Sequence, residues 1–285
     1  MAAMAYLGVD VGGTSIKVAA VDAGRTLWTG RSAAYSRPDA RGLIMALREA
    51  AGGHAVDFQG VGLCVPGILD ANLRRVTLSV NVPGLMQIDL EELVHSAMGE
   101  GVGSIRVIND TTAAAHDIAS RRGLSGRVLV LCLGTGIGAA VVDDGVPVKV
   151  TGQTPGHIGQ LDVSLDDRPP IGPDGGAGSL EAYLGAPALM RQFGLEIPAA
   201  VAAWDGSEAP LRALARALRI CHAIYRPNHI VLAGGIGIHL GHVVGALKEM
   251  VARNLTSVAR AGWTLSTGES EFHAAIGAAK LRARK

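Results

Sequence analysis

The chain has 285 residues, 48% of them hydrophobic, and a formal net charge of +1. A chain of this length accommodates one large domain or two of moderate size with a substantial core, and two lobes are the expectation. Because lysines and arginines are spread along the chain apart from a short basic tail, composition argues against a nucleic-acid-binding surface.

No run of about eighteen apolar residues occurs, so no membrane-spanning helix is predicted. The N-terminal MAAMAYLGVD lacks the charged start of a signal peptide, and a cytoplasmic location is expected. Cys64, Cys132 and Cys221 lie in apolar runs without Cys-x-x-Cys spacing, so we expect buried, reduced thiols.

Residues 6–24 predict a β-hairpin whose two apolar strands are joined by a Gly-Gly-Thr turn. Within it, DVGGTSIK combines small residues with one acid and one lysine. The candidate cofactor-binding residues are Asp10, Gly12, Gly13, Thr14 and Lys17. The turn could bring backbone N–H groups close to phosphate oxygens, and Asp10 could hold Mg²⁺ directly or through water. Taken alone, the motif is equally compatible with an ordinary hairpin turn.

Apolar spacings of three and four predict helices at 40–52 and 89–99, the latter with Asp89 as its N-cap. A third helix is predicted at 111–123, after an apolar strand that ends in Asn109 and Asp110. A carboxylate at this position could accept the proton of a bound hydroxyl, or it could cap the helix, or do both.

Residues 128–145 repeat the pattern of the first hairpin, with GTGIG at the turn. Gly134, Thr135 and Gly136 are the candidate phosphate-binding residues here. Two such hairpins indicate two similar lobes with a boundary near residue 115, and together they would suit a nucleotide lying in a cleft between the lobes.

The remaining chain predicts further helices and one buried strand. SLEAYLGAPALMRQF (179–193) reads as a helix with a capping serine, and EAPLRALARALRICHAIYRP as a helix that Pro227 ends. HIVLAGGIG (229–237) reads as a strand that breaks at Gly234 and Gly235. Strands interleaved with helices predict an α/β protein, whereas the hairpins argue against an all-parallel Rossmann sheet.

These motifs resemble those of the ROK family of bacterial sugar kinases and repressors, within the sugar kinase, heat-shock protein 70 and actin superfamily. DVGGTSIKVAAVD is similar to its first phosphate motif, LGTGIGAAVV to its second, and VLAGGIG to its adenosine motif, where Gly234 and Gly235 would let base and ribose approach the backbone. The resemblance implies an α/β, two-lobed actin-like ATPase (ribonuclease H-like) fold with a duplicated β-hairpin-containing core and an interlobe cleft. Residues 1–115 with helix 272–285 would form one lobe, and residues 116–271 the other.

The resemblance also implies a sugar side to the site. GVGLCVPGILD and SVNVPG are similar to the family's sugar-side segments, which implies sugar contacts by Gly67 and Asn81. Asn109 and Glu181 match further sugar-contact positions, and Asp110 matches the catalytic base. ATP and Mg²⁺ are the implied cofactors, with Asp10 on the metal.

Two positions depart from the family pattern. His157 stands where the family has a sugar-contacting glutamate, and Gln160 stands where it has a zinc-binding histidine. Residues 171–179 contain no cysteine, so no structural zinc is expected. An imidazole and a carboxamide offer hydrogen-bond donors that a carboxylate lacks, and both side chains are therefore predicted to help choose the sugar.

The function expected from the sequence is an ATP-dependent kinase for a hydroxyl of a hexose or hexose derivative, glucokinase-like or N-acetylhexosamine kinase-like. The alternatives are a weak or inactive sugar-binding sensor on the same fold, a kinase that uses polyphosphate, and an actin-like ATPase that acts on a protein partner. The family implies a homodimer, and because the first phosphate motif begins at once, no helix-turn-helix reader of nucleic acid is expected.

Overall fold

The computed structural model describes residues 5–53, 58–79, 81–149, 157–172, 175–194 and 196–284. The described residues form two five-stranded sheets and one two-stranded sheet. In chain order the strands are β1 (Tyr6–Val11), β2 (Ile16–Asp22), β3 (Arg25–Arg31), β4 (Gly60–Cys64), β5 (Ile68–Leu69), β6 (Val76–Leu78), β7 (Ser104–Val107), β8 (Arg127–Leu133), β9 (Ile137–Asp143), β10 (Val146–Pro147), β11 (His229–Ala233) and β12 (Thr264–Thr267).

Helices occupy most of the chain between the strands. They are α1 (Ala40–Ala50), α2 (Leu90–Met98), α3 (Asp110–Arg122), α4 (Leu180–Leu184), α5 (Ala186–Phe193), α6 (Ile197–Ala202), α7 (Ala209–Tyr225), α8 (Gly234–Gly237), α9 (Val244–Arg253) and α10 (His273–Ala283), with 3₁₀ helices at Pro83–Gln87, Ile158–Gln160 and Ile238–Val243. Among the described residues, no helix combines the length and apolar character needed to cross a membrane.

The chain divides into two compact units, Met1–Asp117 with Phe272–Lys285 and Ile118–Glu271. The five strands of the first unit's large sheet lie in the order β3-β2-β1-β4-β7, and those of the second unit's sheet in the order β10-β9-β8-β11-β12. In both sheets an antiparallel three-stranded meander is followed by two parallel strands. This repeated order confirms the predicted duplicated α/β core around a β-hairpin. The predicted division into lobes, with a boundary near residue 115, stays a prediction.

In the first unit, α10 lies with its backbone directly against the sheet. A Cβ atom at Gly8 of β1 would be 1.8 Å from the Ala275 carbonyl oxygen, and one at Gly62 of β4 would be 2.3 Å from the Ala278 carbonyl oxygen. Such distances exclude any side chain, so glycine at these two positions permits the contact.

A buried charged cluster connects α3 to α10 within the first unit. The Asp117 side chain is fully buried, its Oδ2 lies 2.7 Å from His273 Nδ1, and Lys280 Nζ donates to its Oδ1 at 2.6 Å. Burial acts to raise the pKa of Asp117, but the hydrogen bonds from His273 and Lys280 outweigh it and lower that pKa. The cluster fixes α3, whose first residue is Asp110, against the C-terminal helix.

In the second unit, α7 supplies an apolar stripe to the core. Its buried positions Leu211, Leu214, Leu218 and Cys221 are spaced by three and four residues, which places them on one face of the helix. They belong to one cluster with buried residues of β8, β9 and β11. This core positions the second hairpin.

The structure corrects the prediction of one helix over 179–193. Gly185 is extended, with φ −63° and ψ 146°, and separates α4 from α5. A continuous helix fails here because Pro187 lacks an N–H and its ring would collide with the carbonyl four residues earlier. Ser179 caps α4 as predicted, accepting from the Ala182 amide at 3.2 Å.

Cys64, Cys132 and Cys221 form no disulfide within the described chain. Cys64 and Cys221 are buried as expected, and burial raises the pKa of Cys221 to about 12. Cys132 is only partly buried, so the expectation of burial is wrong for it. It lies one residue before the end of β8, between the buried residues Leu131 and Leu133, whose side chains point to the other face of the sheet.

Candidate active site

The first turn, from Gly12 to Ser15, joins β1 to β2. The Gly12 amide donates to the Ser15 carbonyl at 3.1 Å, and the Tyr35 hydroxyl donates to the Gly12 carbonyl at 2.6 Å. The Tyr35 amide also donates to the Thr14 carbonyl at 2.9 Å. Within the part of the chain that the structure describes, the amides of Gly13 and Thr14 make no hydrogen bond. The turn can therefore offer two N–H groups to an anion.

Two acids and one lysine interact near this turn. Asp10 in β1 lies directly opposite Lys17 in β2, so the two side chains share one face of the sheet. Burial raises the pKa of Asp10 to about 6, Lys17 counteracts this rise, and the charge of Asp110 adds to it. The interaction indicates that Asp10 and Asp110 lie near each other in the first unit.

The hydrogen bonds at the N-terminus of α3 show which residue caps the helix, a role that the sequence left open for Asp110 beside that of proton acceptor. Asn109 is the N-cap: its Oδ1 accepts from the Thr112 amide at 2.9 Å and from the Thr111 hydroxyl at 2.7 Å. Asp110 is the first helical residue, and its Oδ1 accepts from the Thr111 amide at 2.7 Å. Burial raises the pKa of Asp110. The hydrogen bonds from the backbone amides of Thr111 and of Asp110 itself counteract this rise. The carboxylate lies at the helix N-terminus and can accept a proton.

Gly67 and Asn81, the predicted sugar-side residues, are both exposed. Gly67 has φ +113°, and a Cβ there would lie 2.2 Å from the Leu78 carbonyl oxygen, so the β5–β6 hairpin itself requires glycine. Asn81 makes no hydrogen bond to another described residue, and residue 80 beside it lies outside the described chain.

The second turn, from Gly134 to Gly136, joins β8 to β9. The Gly134 amide donates to the Gly136 carbonyl at 3.1 Å, and the Ala186 amide donates to the Gly134 carbonyl at 2.8 Å. The amides of Thr135 and Gly136 make no hydrogen bond to any residue in the described ranges. The second turn is one residue shorter than the first, but it likewise leaves two N–H groups available.

The side chains of Glu181 and Gln160 form a hydrogen bond next to the second turn. Glu181 Oε1 accepts from the Ile137 amide at 2.8 Å, and Glu181 Oε2 accepts from Gln160 Nε2 at 2.9 Å. The Glu181 residue is partly buried, whereas Gln160 is exposed. The structure thus brings two of the predicted sugar-side residues together with the first residue of β9.

His157 stands apart from this pair. It is exposed, precedes the 3₁₀ helix that contains Gln160, and makes no side-chain hydrogen bond to another described residue. The described residues contain no group of three or more histidine, cysteine or acidic side chains that could hold a metal ion. Residues 151–156, 173 and 174, close to these positions in the chain, lie outside the described ranges.

The two glycines after β11 differ in the space around their Cβ positions. Gly234 has φ +79°, and a Cβ there would lie 2.5 Å from the Leu133 carbonyl oxygen, so local packing requires glycine. Gly235 is exposed, and the nearest atom to a Cβ there would be Glu271 Oε2 at 3.9 Å. The Cβ position of Gly235 is therefore open, whereas that of Gly234 faces the backbone of β8. The predicted ligand contacts of both glycines stay predictions.

Sequence reasoning missed two contributors. Tyr35 supports the first turn through its hydroxyl, and the Ile137 amide connects the second turn to Glu181. A lone aromatic residue far from the turn in sequence carries no local signal, and a backbone amide carries none either. Only the three-dimensional contacts reveal them.

Comparison with known proteins identifies the family. Residues 6–285 match the ROK family. Kanosamine kinase of Amycolatopsis mediterranei is 27% identical over 268 residues, which cover 87% of this chain and 86% of that protein. The N-acetyl-D-glucosamine kinase of Erwinia tasmaniensis is 26% identical over 285 residues, with 90% and 91% covered.

The fold is likewise that of known ROK proteins. The ROK hexokinase of Thermus thermophilus superposes with a TM-score of 0.70 at 24% identity, covering 97% of both chains. A ROK family glucokinase of Streptomyces griseus, solved with glucose and AMPPNP, superposes with a TM-score of 0.73 at 22% identity, covering 97% of this chain and 98% of that one. The α/β, actin-like ATPase fold is therefore confirmed, and with the match along nearly its whole length, this chain belongs to the ROK family.

Proposed function

We propose that this protein is an ATP-dependent kinase that transfers the γ-phosphate to a hydroxyl of a hexose or hexose derivative. The observation that carries the proposal is the N-terminus of α3. There Asn109 caps the helix, so the buried Asp110 carboxylate, with its raised pKa, is not needed as the cap and is proposed to accept from a substrate hydroxyl. The curated relatives, a kanosamine kinase and an N-acetyl-D-glucosamine kinase, support the reaction class.

Asp110 is the proposed general base. A carboxylate whose pKa is raised by burial is a stronger base than an exposed one, and it needs only to accept the proton as the hydroxyl attacks phosphorus. Phosphoryl transfer demands little covalent chemistry from the protein, so one oriented acceptor with neutralisation of the phosphate charge suffices. Asn109 keeps its amide nitrogen for a sugar hydroxyl, because its oxygen is used by the helix cap.

The two turns are the proposed phosphate-binding elements. The amides of Gly13 and Thr14 in the first turn, and of Thr135 and Gly136 in the second, supply four donors to phosphate oxygens. Lys17 adds a positive charge beside the first turn, and Gly235 leaves space for the base and ribose. Gly12, Gly134 and Gly234 support these elements through backbone contacts.

Mg²⁺ fits the carboxylate of Asp10, because this ion prefers oxygen ligands and often binds through one carboxylate, water and substrate phosphates. When bound, the ion neutralises charge that develops on the transferred phosphate. Lys17 holds the Asp10 carboxyl towards its ionised, ligating form, because the lysine charge lowers the pKa that burial raises. By family resemblance we also propose a cytoplasmic homodimer.

The sugar-side set consists of Gly67, Asn81, Asn109, His157, Gln160 and Glu181. Glu181 has lone pairs left after its two hydrogen bonds and can accept from a sugar hydroxyl. His157 and Asn81 are exposed and carry polar groups without partners among the described residues, so they are available to a ligand. Their donors and acceptors would select among hexose derivatives.

A coupled phosphorylation screen tests the proposal. Purified protein is given glucose, kanosamine, N-acetylglucosamine and N-acetylmannosamine with ATP or polyphosphate, and Asp110→Asn serves as the matched blank. We expect a phosphosugar with ATP for at least one sugar and none with the blank. Sugar binding without turnover by either donor would instead identify a sensor, and ATP turnover that no sugar stimulates would identify an ATPase with another partner.

A further inference from the structure

The Glu181 carboxylate has both of its oxygens engaged by protein donors. Oε1 receives the Ile137 amide at 2.8 Å, and Oε2 receives the Gln160 side-chain amide at 2.9 Å. We call the three residues the Glu181 bridge. A carboxylate held at both oxygens has its orientation set from two sides, and charged acceptors form the stronger class of hydrogen bonds.

The bridge joins three segments of the second unit. Gln160 is the last residue of a 3₁₀ helix, Glu181 lies in the first turn of α4, and Ile137 is the first residue of β9. Ile137 directly follows the second turn, whose Thr135 and Gly136 amides are available. The bridge therefore attaches to the backbone at the exit of a phosphate-binding turn.

Close packing makes this attachment stiff. A Cβ at Gly136 would lie 3.1 Å from Glu181 Oε1, and one at Gly159 would lie 2.7 Å from the same atom. The turn backbone and the 3₁₀ helix thus both press against the carboxylate. At its entry the turn is held separately, because the Ala186 amide donates to the Gly134 carbonyl at 2.8 Å.

From these contacts we infer that Gln160 is a positioning residue, which acts through Glu181 and Ile137 to hold the second turn in the geometry that receives the nucleotide phosphates. The inference rests on the proposed function for the identity of the ligand. The sequence predicted Gln160 as a sugar-side residue, whereas this inference places it in the support of the nucleotide phosphates. Gln160 serves nucleotide binding even when no sugar is present.

The test compares Gln160→Leu with the parent chain and with Gln192→Leu, an exposed glutamine in α5 that has no part in the bridge. Amide hydrogen exchange of Ile137 is measured without ligand, and ATP affinity is measured by calorimetry without sugar. We expect Gln160→Leu to speed Ile137 exchange and to weaken ATP binding by about three- to tenfold, the range for one hydrogen bond of ordinary net strength, because Gln160 is exposed. Gln192→Leu should match the parent in both measurements.

A charge swap keeps the test decisive if Gln160→Leu folds poorly. Gln160→Glu alone places two carboxylates together and should expose the Ile137 amide to exchange. Adding Glu181→Gln should restore protection, because the new carboxamide oxygen can accept from Ile137 while its nitrogen donates to the new carboxylate. Protection that fails to return would overturn the inference.

Two further results separate this inference from the proposed function. Unchanged Ile137 exchange and ATP affinity in Gln160→Leu, with only the sugar KM altered, would make Gln160 a plain sugar contact and overturn the inference. A parent chain that binds no ATP would overturn the proposed function. In that case the exchange of Ile137 in the ligand-free variants would still decide whether Gln160 positions the turn.

Discussion

The two glycine turns each leave two backbone amides available, but side chains of opposite hydrogen-bonding character support them. In the first, the Tyr35 hydroxyl donates to the Gly12 carbonyl; in the second, the Glu181 carboxylate accepts from the Ile137 amide. A neutral phenol supports one turn and an acid supports the other. Duplication has therefore kept the hairpin and its available amides, while the supporting side chains differ.

The difference extends to the charges around each turn. Near the first turn, the charges of Lys17 and Asp110 both act on Asp10, and both acids have raised pKa values because of burial. The second turn has Glu181, which is tied to backbone and carboxamide donors. We therefore expect the proton transfer to depend on the first unit, and both turns to contribute to nucleotide affinity.

The largest expected effect tests the assignment of proton transfer to the first unit. Asp110→Asn should lower kcat by about 100-fold or more, because an amide cannot accept the hydroxyl proton. ATP affinity, measured by calorimetry, should stay within about twofold, since the substitution keeps the shape of the side chain. Asp22→Asn, a change of the same kind at the end of β2, should behave as the parent. Equal turnover of Asp110→Asn and the parent would remove Asp110 from the mechanism.

A neighbouring pair of glycines in the second unit separates stability from ligand binding. Gly234→Ala should lower the free energy of unfolding by about 2 kcal/mol or more, because its φ of +79° and the Leu133 carbonyl leave no room for a Cβ. Gly235→Ala should leave the thermal midpoint unchanged and weaken ATP binding. Thermal unfolding and calorimetry of both variants check this. A lower thermal midpoint in Gly235→Ala would contradict the assignment of stability to Gly234 and of ligand binding to Gly235.

A buried imidazole makes the first unit sensitive to acid. Burial lowers the pKa of His116 to about 4, with Arg284 and Lys280 adding to the effect. The unfolded chain takes up this proton near pH 6.5, so stability that is fully present above about pH 6.5 is lost as the pH falls towards about 4. At pH 5 the loss from this residue is about 2 kcal/mol.

His116→Gln should remove that part of the pH dependence. The decrease in thermal midpoint between pH 7.5 and pH 5 should be smaller in the variant than in the parent. His222→Gln is the matched change in the second unit, where burial also lowers the pKa of the imidazole. An unaltered pH dependence in His116→Gln would show that His116 is protonated in the native state at pH 5.

The smallest expected effect concerns the support of the first turn. Tyr35→Phe removes the hydroxyl that donates to the Gly12 carbonyl and should weaken ATP binding about fivefold, in line with about 1 kcal/mol for one hydrogen bond. Tyr6→Phe in the same unit is the control. An ATP affinity equal to that of the parent would mean that the first turn holds its geometry without this support, unlike the second.

Local patterns were sufficient for much of the fold and for the residue types of the site. Both hairpins were predicted because short apolar strands and glycine turns are short-range signals. The helix caps at Asp89 and Ser179 were predicted for the same reason. The prediction of a single helix at 179–193 was wrong because it gave more weight to the apolar periodicity than to Gly185 and Pro187. These two residues are the local signal for a helix break.

The sequence by itself determined that this is an α/β protein with two hairpins, two glycine turns and an acid at the start of α3, since each of these is encoded within a few adjacent residues. Only the tertiary structure decided that Asn109 rather than Asp110 caps α3, because both side chains can fill that position. It also decided which residues hold each turn. Tyr35 and Gln160 reach their partners across distant parts of the chain, and such contacts exist only once the sheets and helices have packed.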